Sequence, residues 1–546
     1  MPAQVVFCII HTVKRSAASA TQGDLLLVLH AHLPYVRYPE HEDHLEEAWL
    51  HEAMLESYIP LIRVLEDLLN DGADFRLTLS LTPSLLEMLD DRLLMERFHQ
   101  YLESRRELAE KELFRTRNDP ALAPLARLYH TRFLGAQHFF DRTCKGNLIP
   151  AFRSLERSGK IEFITSAATH AFLPLHMSEP ATLRAQIGLG FSTFQRHFGK
   201  RPSGMWLPEC GYAPGLDSFV REAGAGYVFL ESHGVLNAVP RPKKSIYRPV
   251  RTPAGLIVFA RDTWSCAQVW SSREGYPGNA VYRDFYRDIG FDLDYTYIQP
   301  YLPGGVRTFT GMKYYRVTGK TEQKEPYVPE QGLQQAMHHA EHFLQARNEQ
   351  VLFLRNTLRI RPVITAAYDA ELFGHWWYEG PEWLRSVLGG PAARQCTCRF
   401  VTPSEYIAEN DAGETVSPSA SSWGRKGFHE VWLAPANSWI YRHLKKAAGT
   451  LSRLSREHGA ATGVCERALN QAARELLLAQ ASDWPFMMKT GTAAGFAEAT
   501  FREHMGNFFA LCKEVSAGAV REDHLVSREQ KSPLFRDIDF RTFAGN

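Results

Sequence analysis

No run of apolar residues in this chain approaches the roughly 18 that a membrane-spanning helix requires. The stretch from Leu25 to Leu29 is broken at once by His30, and Val5 to Ile10 is short, with its basic residues Lys14 and Arg15 behind it rather than ahead. That order does not make a secretory signal, and no membrane partner is expected. Charge of one sign is also missing: 62 Lys and Arg stand against 61 Asp and Glu, a net charge of +1. Nothing here draws the protein to nucleic acid or anionic lipid, so its partners should be uncharged or small. The cysteines lack a pattern. Eight are scattered (Cys8, Cys144, Cys210, Cys266, Cys396, Cys398, Cys465, Cys512), which makes neither a disulfide framework nor a zinc ribbon and indicates a reducing, cytoplasmic setting.

At 546 residues the chain exceeds one simple core, so several domains or one large α/β domain with insertions is expected. Short runs rich in apolar and β-branched residues recur at Leu25–Leu29, Phe75–Leu81, Ile161–Ala168, Gly204–Leu207, Tyr227–Leu230, Leu256–Ala260, Val363–Tyr368 and Cys398–Val401, and read as buried parallel strands. Two of them end alike, in Leu-Thr-Pro-Ser and Val-Thr-Pro-Ser, where Thr82 and Thr402 can cap a helix that starts with proline. A strand that turns straight into a capped helix is a βα unit, and several in series make an α/β layer or barrel. The expected order is a disordered extension over 1–23, the first part of the barrel over 24–90, a charged helical insertion over 91–160, the rest of the barrel over 161–409, a linker or exposed loop over 410–422, and a helical domain over 423–530. In the last, Leu469, Ala472, Ala473, Leu476 and Leu477 fall on one helical face. Residues 299–330, rich in Gly, Pro and Tyr, are expected to form a functional loop near a site.

Four strand ends carry polar residues together: His30 and His32 in HAHLPYV, Thr169 and His170 in ATHAFLP, Glu209 in WLPECGY, and Tyr368 and Asp369 in YDAELFGHWW. In parallel α/β folds such ends converge on a substrate. Any one of these residues alone is more simply a hydrogen-bonded or solvated side chain. Glu209 and Asp369, however, each sit among aromatics (Trp206 and Tyr212; Tyr368, Trp376 and Trp377). Two carboxylates amid aromatics suit cleavage or transfer of a glycoside, because sugars stack on indoles and an oxocarbenium-like transition state needs an acid and a carboxylate. Further tryptophans follow at Trp423, Trp432 and Trp439, of which Trp423 lies in a Ser/Gly-rich approach suited to an exposed platform. A rival reading gives His30 and His32, with His170, to a zinc ion.

HAHLPYV, ATHAFLP, WLPECGY, YDAELFGHWW and the late TPSEY resemble, in order and spacing, the five sequence regions of glycoside hydrolase family 57. The segments WGRKGFHEVWL, NSWIYRH and QASDWPFMM look like those of its α-1,4-glucan branching enzymes. The resemblance implies an incomplete (β/α)7 barrel with an inserted helical domain and a C-terminal all-helical domain that closes over the cleft. It implies retaining chemistry on α-glucan without a metal or other cofactor, with Glu209 as nucleophile and Asp369 as general acid/base. The two carboxyls would lie roughly 5–5.5 Å apart, Asp369 protonated and Glu209 ionised. His30, His32 and His170 would bind sugar hydroxyls or tune the carboxylates, and Trp206 would stack in the donor site. Trp423, Trp432 and Asp483 would shape the acceptor side. A loop that excludes water is sought in 261–278, where Arg261 and Trp270 are taken as substrate-binding, or in 299–330. A monomer or weak homo-oligomer is expected. An α-amylase or 4-α-glucanotransferase of the same family shares every one of these residues; a metal-dependent hydrolase and a glucan-binding protein with idle carboxylates stay open as other classes.

Overall fold

The computed structural model describes residues 21–41, 44–271, 275–411 and 413–545, so most of the expected N-terminal extension lies outside the described residues. Among the described residues nine strands form: β1 (Gly23–Ala31), β2 (Leu77–Leu81), β3 (Ile161–Ile164), β4 (Gly204–Met205), β5 (Tyr227–Leu230), β6 (Val250–Arg251), β7 (Ile257–Ala260), β8 (Val363–Asp369) and β9 (Cys398–Phe400). All nine residues of β1 are buried, which is why its leucines run on without alternation. They pair as two sheets, β3-β2-β1-β8 and β4-β5-β7-β6, in which β6 is the antiparallel member. Single parallel bridges, Thr165 to Met205 and Arg261 to Thr365, join the two. Seven parallel strands therefore follow one another around a ring in the order β1, β2, β3, β4, β5, β7, β8. β9 adds alongside the start of β1, over residues 23–25.

All eight expected strands are present, but β3 stops at Ile164 rather than Ala168. Past it only the single Thr165–Met205 bridge continues the pairing, and the Thr165 and Ser166 hydroxyls donate to the carbonyls of Gly190 and Trp206 (2.9 and 2.8 Å). The twin Thr-Pro sequences also part company. Thr402 makes a full capping box with Glu405, whereas Thr82 makes no side-chain cap and turns its hydroxyl to His32 Nδ1 at 3.1 Å.

Between β2 and β3 lie helices Arg92–Arg115, Ala123–His138 and Ile149–Arg157. The stretch 299–330 is laid along the first of them: Tyr301 donates to Glu107 and Tyr314 to Glu112, while the Lys313 carbonyl accepts from Tyr129 on the second. The expected linker 410–422 is not an exposed loop. Residues 415, 417 and 421 bridge to Arg251, Val239 and Tyr212, and Val416, Ser421 and Ser422 are buried. Backbone pairing holds in place a segment whose low apolar content suggested solvent. Helices Trp439–Glu457, Gly463–Ala479, Asp483–Thr490, Ala494–Ser516 and Glu522–Lys531 follow, and the expected face of Gly463–Ala479 is buried. The same apolar cluster runs through barrel, inserted helices and C-terminal helices. Among the described residues no helix is long and apolar enough to cross a membrane.

Candidate active site

Glu209 follows β4 in the turn Pro208–Cys210, with φ 60° and ψ 23°, and Cys210 is also left-handed at φ 49°. Non-glycine residues hold that conformation only where their surroundings over-determine it. Trp423 does so twice: its backbone N–H donates to the Glu209 carbonyl at 2.9 Å and its indole Nε1–H to Glu209 Oε2 at 2.5 Å. The Ser482 hydroxyl donates to Oε1 at 2.9 Å. Both donors lie beyond β9 in the chain. The C-terminal helices that deliver Ser482 dock on the end of β3, where Ser482 N–H donates to the His170 carbonyl (3.1 Å) and the Thr169 hydroxyl to the Leu477 carbonyl (2.5 Å).

Asp369 ends β8 in register with His30 of β1. Its carboxyl makes no hydrogen bond to another described residue. Burial first, then the neighbouring charges of Glu371 and Glu209, push it well above the usual carboxylate range against the pull of Arg261 and His32. Glu209 is pushed up to about 7, chiefly by burial and further by Asp483, while the Trp423 and Ser482 bonds and His32 pull it down. Both carboxyls are raised, and Glu209 becomes mainly ionised only above about 7, because two donors offset its burial incompletely. Glu371 accepts from Tyr58 Oη at 2.5 Å and from the His32 backbone N–H at 3.1 Å.

The three histidines are committed to one another and to their supports. His30 lies between Ser80 Oγ (3.1 Å) and His170 Nε2 (3.0 Å), His170 reaches Ser482 Oγ (2.9 Å), and His32 lies between Thr82 and Asp483 (both 3.1 Å). Candidate metal-ligand atoms of His32, His170 and Asp483 do fall within 4.8 Å of one another. That set leaves out His30, which the zinc reading used, and two of its members, His32 and Asp483, are hydrogen-bonded to each other. Burial holds His30 and His170 well below the usual histidine range; His32 loses solvent as well, but Asp483, with Glu209 and Glu371, more than offsets this and raises it.

Several expected contacts are corrected. Trp206 is fully buried with its ring stacked on His30 at 4.9 Å, so it floors the site and cannot stack on a sugar. Trp432 is 1% exposed and stacks on Phe172 at 4.6 Å, a support rather than an acceptor surface. Arg261 is bound to Glu231 and to the Ala367 carbonyl and lies over the Trp423 ring (4.9 Å), so it braces that indole. His30 and His170 are 2% exposed and tune rather than touch, while Trp270 is 53% exposed on the helix Thr263–Trp270 after β7. Sequence reasoning missed Ser482, Tyr58 and Glu371, and took Thr82 for a cap. Glu371, two residues after Asp369, and Ser482, beside Asp483, were within reach of a neighbour rule. Tyr58 was not, because a π-helical turn, Met54–Tyr58, aims it at the strand end.

The site thus holds one carboxyl gripped by two donors and another without a hydrogen-bond partner among the described residues and raised by burial, which together can supply a nucleophile and a proton. A glycosyl hydrolase family 57 model matches residues 26–418, and a model of the 1,4-alpha-glucan branching enzyme C-terminal domain matches 443–543. The chain is 31% identical to the 1,4-alpha-glucan branching enzyme of Thermococcus kodakarensis, over 95% of this chain and 78% of that one. Among solved structures, the alpha-amylase AmyC from Thermotoga maritima is 40% identical with a TM-score of 0.90, covering 96% of this chain and 99% of that one. The GH57-type branching enzyme from Pyrococcus horikoshii is 33% identical with a TM-score of 0.87, covering 96% and 97%. With family-wide matching across the barrel, and with the paired carboxyls at its strand ends, the chain belongs to glycosyl hydrolase family 57.

Proposed function

We propose that this protein is a 1,4-alpha-glucan branching enzyme working by retaining double displacement. The observation that carries the chemistry is the contrast between the two carboxyls, Glu209 gripped by Trp423 and Ser482 and Asp369 without a partner. Glu209 attacks the anomeric carbon as Asp369 gives its proton to the departing glycosidic oxygen, breaking the C1–O4 bond and leaving a glycosyl ester on Glu209. Asp369, now a carboxylate, takes the proton from a glucan 6-hydroxyl whose oxygen attacks C1, forming the α-1,6 bond and releasing Glu209. Transfer rather than hydrolysis is supported by the branching-enzyme match over 443–543. Retention of the acceptor requires that water be kept from the ester. The α-amylase reading is favoured by the 40% identity to AmyC. Unpaired cysteines support a cytoplasmic setting. Asp369→Asn given α-maltosyl fluoride, whose leaving group needs no acid, should accumulate a maltosyl adduct on the peptide containing Glu209 by mass spectrometry; an adduct on any other carboxylate would reassign the nucleophile.

A further inference from the structure

Glu209 terminates a file of hydrogen bonds that begins on β2 and passes through the C-terminal helices. Ser80 Oγ lies 3.1 Å from His30 Nδ1, His30 Nε2 lies 3.0 Å from His170 Nε2, His170 Nδ1 lies 2.9 Å from Ser482 Oγ, and Ser482 donates to Glu209 Oε1 at 2.9 Å. Ser80 and Ser482 are fully buried and the two histidines are 2% exposed. A neutral imidazole has one N–H and one lone pair, so such a file has a direction. When Glu209 is ionised, Ser482 gives it the hydroxyl proton and accepts from His170 Nδ1–H. His170 Nε2 then accepts from His30 Nε2–H, and His30 Nδ1 accepts from the Ser80 hydroxyl. Every member is satisfied.

A proton on Glu209 upsets this. On Oε2 it meets the Trp423 indole N–H, a group that can only donate. On Oε1 it faces the Ser482 hydroxyl, and restoring a full set of bonds requires both histidines to exchange tautomers. The other groups facing Glu209 are Asp483 and Asp369, which disfavour its charge, and His32, which favours it. His170 Nδ1 stands 3.7 Å from Oε1 and the Cys210 thiol is next in the chain; burial keeps both uncharged.

We propose that Ser482, backed by His170, His30 and Ser80, is a positioning residue that presents a hydroxyl proton of fixed direction to Glu209 and thereby holds the nucleophile aimed and charged. The inference rests on Glu209 being the nucleophile. It makes a residue of the C-terminal helices a condition for the barrel's chemistry.

The test compares Ser482→Ala, Ser482→Thr, His170→Gln and Glu209→Gln in the full chain, measuring kcat and KM on amylose across pH, with ¹⁵N-histidine spectra of the free protein. Losing a hydrogen bond to a charged group should lower kcat of Ser482→Ala about ten- to a hundredfold. Its KM should hold within about twofold, and the rising limb of kcat/KM should move to higher pH. His170 should lose its Nδ1–H signature, and Ser482→Thr should restore rate, limb and spectrum. His170→Gln, which breaks the file one step back, should shift the limb the same way by less. An unmoved limb in Ser482→Ala would overturn the proposal; so would one in His170→Gln if Ser482→Ala fails to fold, or equal loss in Ser482→Ala and Ser482→Thr. Turnover surviving in Glu209→Gln would instead remove the nucleophile assignment, whatever Ser482 does.

Discussion

Glu209 is costly to the fold for the reason that makes it useful. Its carboxyl is carried from the usual 4.5 to about 7 by burial. A carboxyl raised in the folded state contributes fully below its unfolded value and loses that contribution as pH climbs through its folded value. The interval from 4.5 to about 7 is worth up to about 3 kcal/mol. Glu209→Gln keeps the shape, can still accept from Trp423, and carries no charge. Its urea midpoint should therefore exceed the parent's at pH 8 and match it at pH 4; a lower midpoint at pH 8 would contradict the burial argument. The same value sets the activity profile. Activity requires Glu209 ionised, so kcat/KM should rise through about pH 7. Trp423→Phe, without the indole donor, should shift the rising limb upward, and an unchanged limb would mean that the 2.5 Å contact does not act on the charge.

Residue motifs were legible where local chemistry decided them. Thr402 makes a capping box because the third residue of its helix is Glu405, whereas after the same Thr-Pro at Thr82 that place is Leu85 and the hydroxyl turns to His32, 50 positions earlier in the chain. Elements follow the same rule. The buried strands announced themselves as unalternating apolar runs, while β6, two residues long, carries no periodicity to read. The π-turn Met54–Tyr58 was invisible because its extra residue sits inside an ordinary helical pattern. That turn is fixed by a close backbone approach. Gly374 has φ 109°, and a Cβ there would stand 1.9 Å from the Glu56 carbonyl oxygen. Gly374→Ala should destabilise the protein by about 3 kcal/mol or more, through both strain and clash. It should also depress activity by loosening Tyr58 from Glu371; a thermal midpoint within error of the parent would show that the turn yields cheaply.

For the molecule as a whole, the candidate carboxyls were legible because strand ends in a parallel fold gather side chains, while their separate roles came from the family resemblance. The resemblance already brought the chain beyond β9 to the cleft; what tertiary structure supplies is how it gets there and that it reaches Glu209 itself. The segment bridged to Arg251, Val239 and Tyr212 brings Trp423 to Glu209, and the helices docked on Thr169 and His170 bring Ser482 and Asp483. Tryptophans expected to meet sugar, Trp206 and Trp432, proved to be buried supports, because an aromatic near a site is first of all apolar surface. Both readings kept here use the same carboxyls and differ in what resolves the ester on Glu209, a glucan 6-hydroxyl or water. Proton NMR of amylose incubated with the protein separates them. New α-1,6 signals with few new reducing ends, both lost in Glu209→Gln, are the result that branching predicts; reducing ends accumulating without α-1,6 signals would contradict it and make the protein a hydrolase.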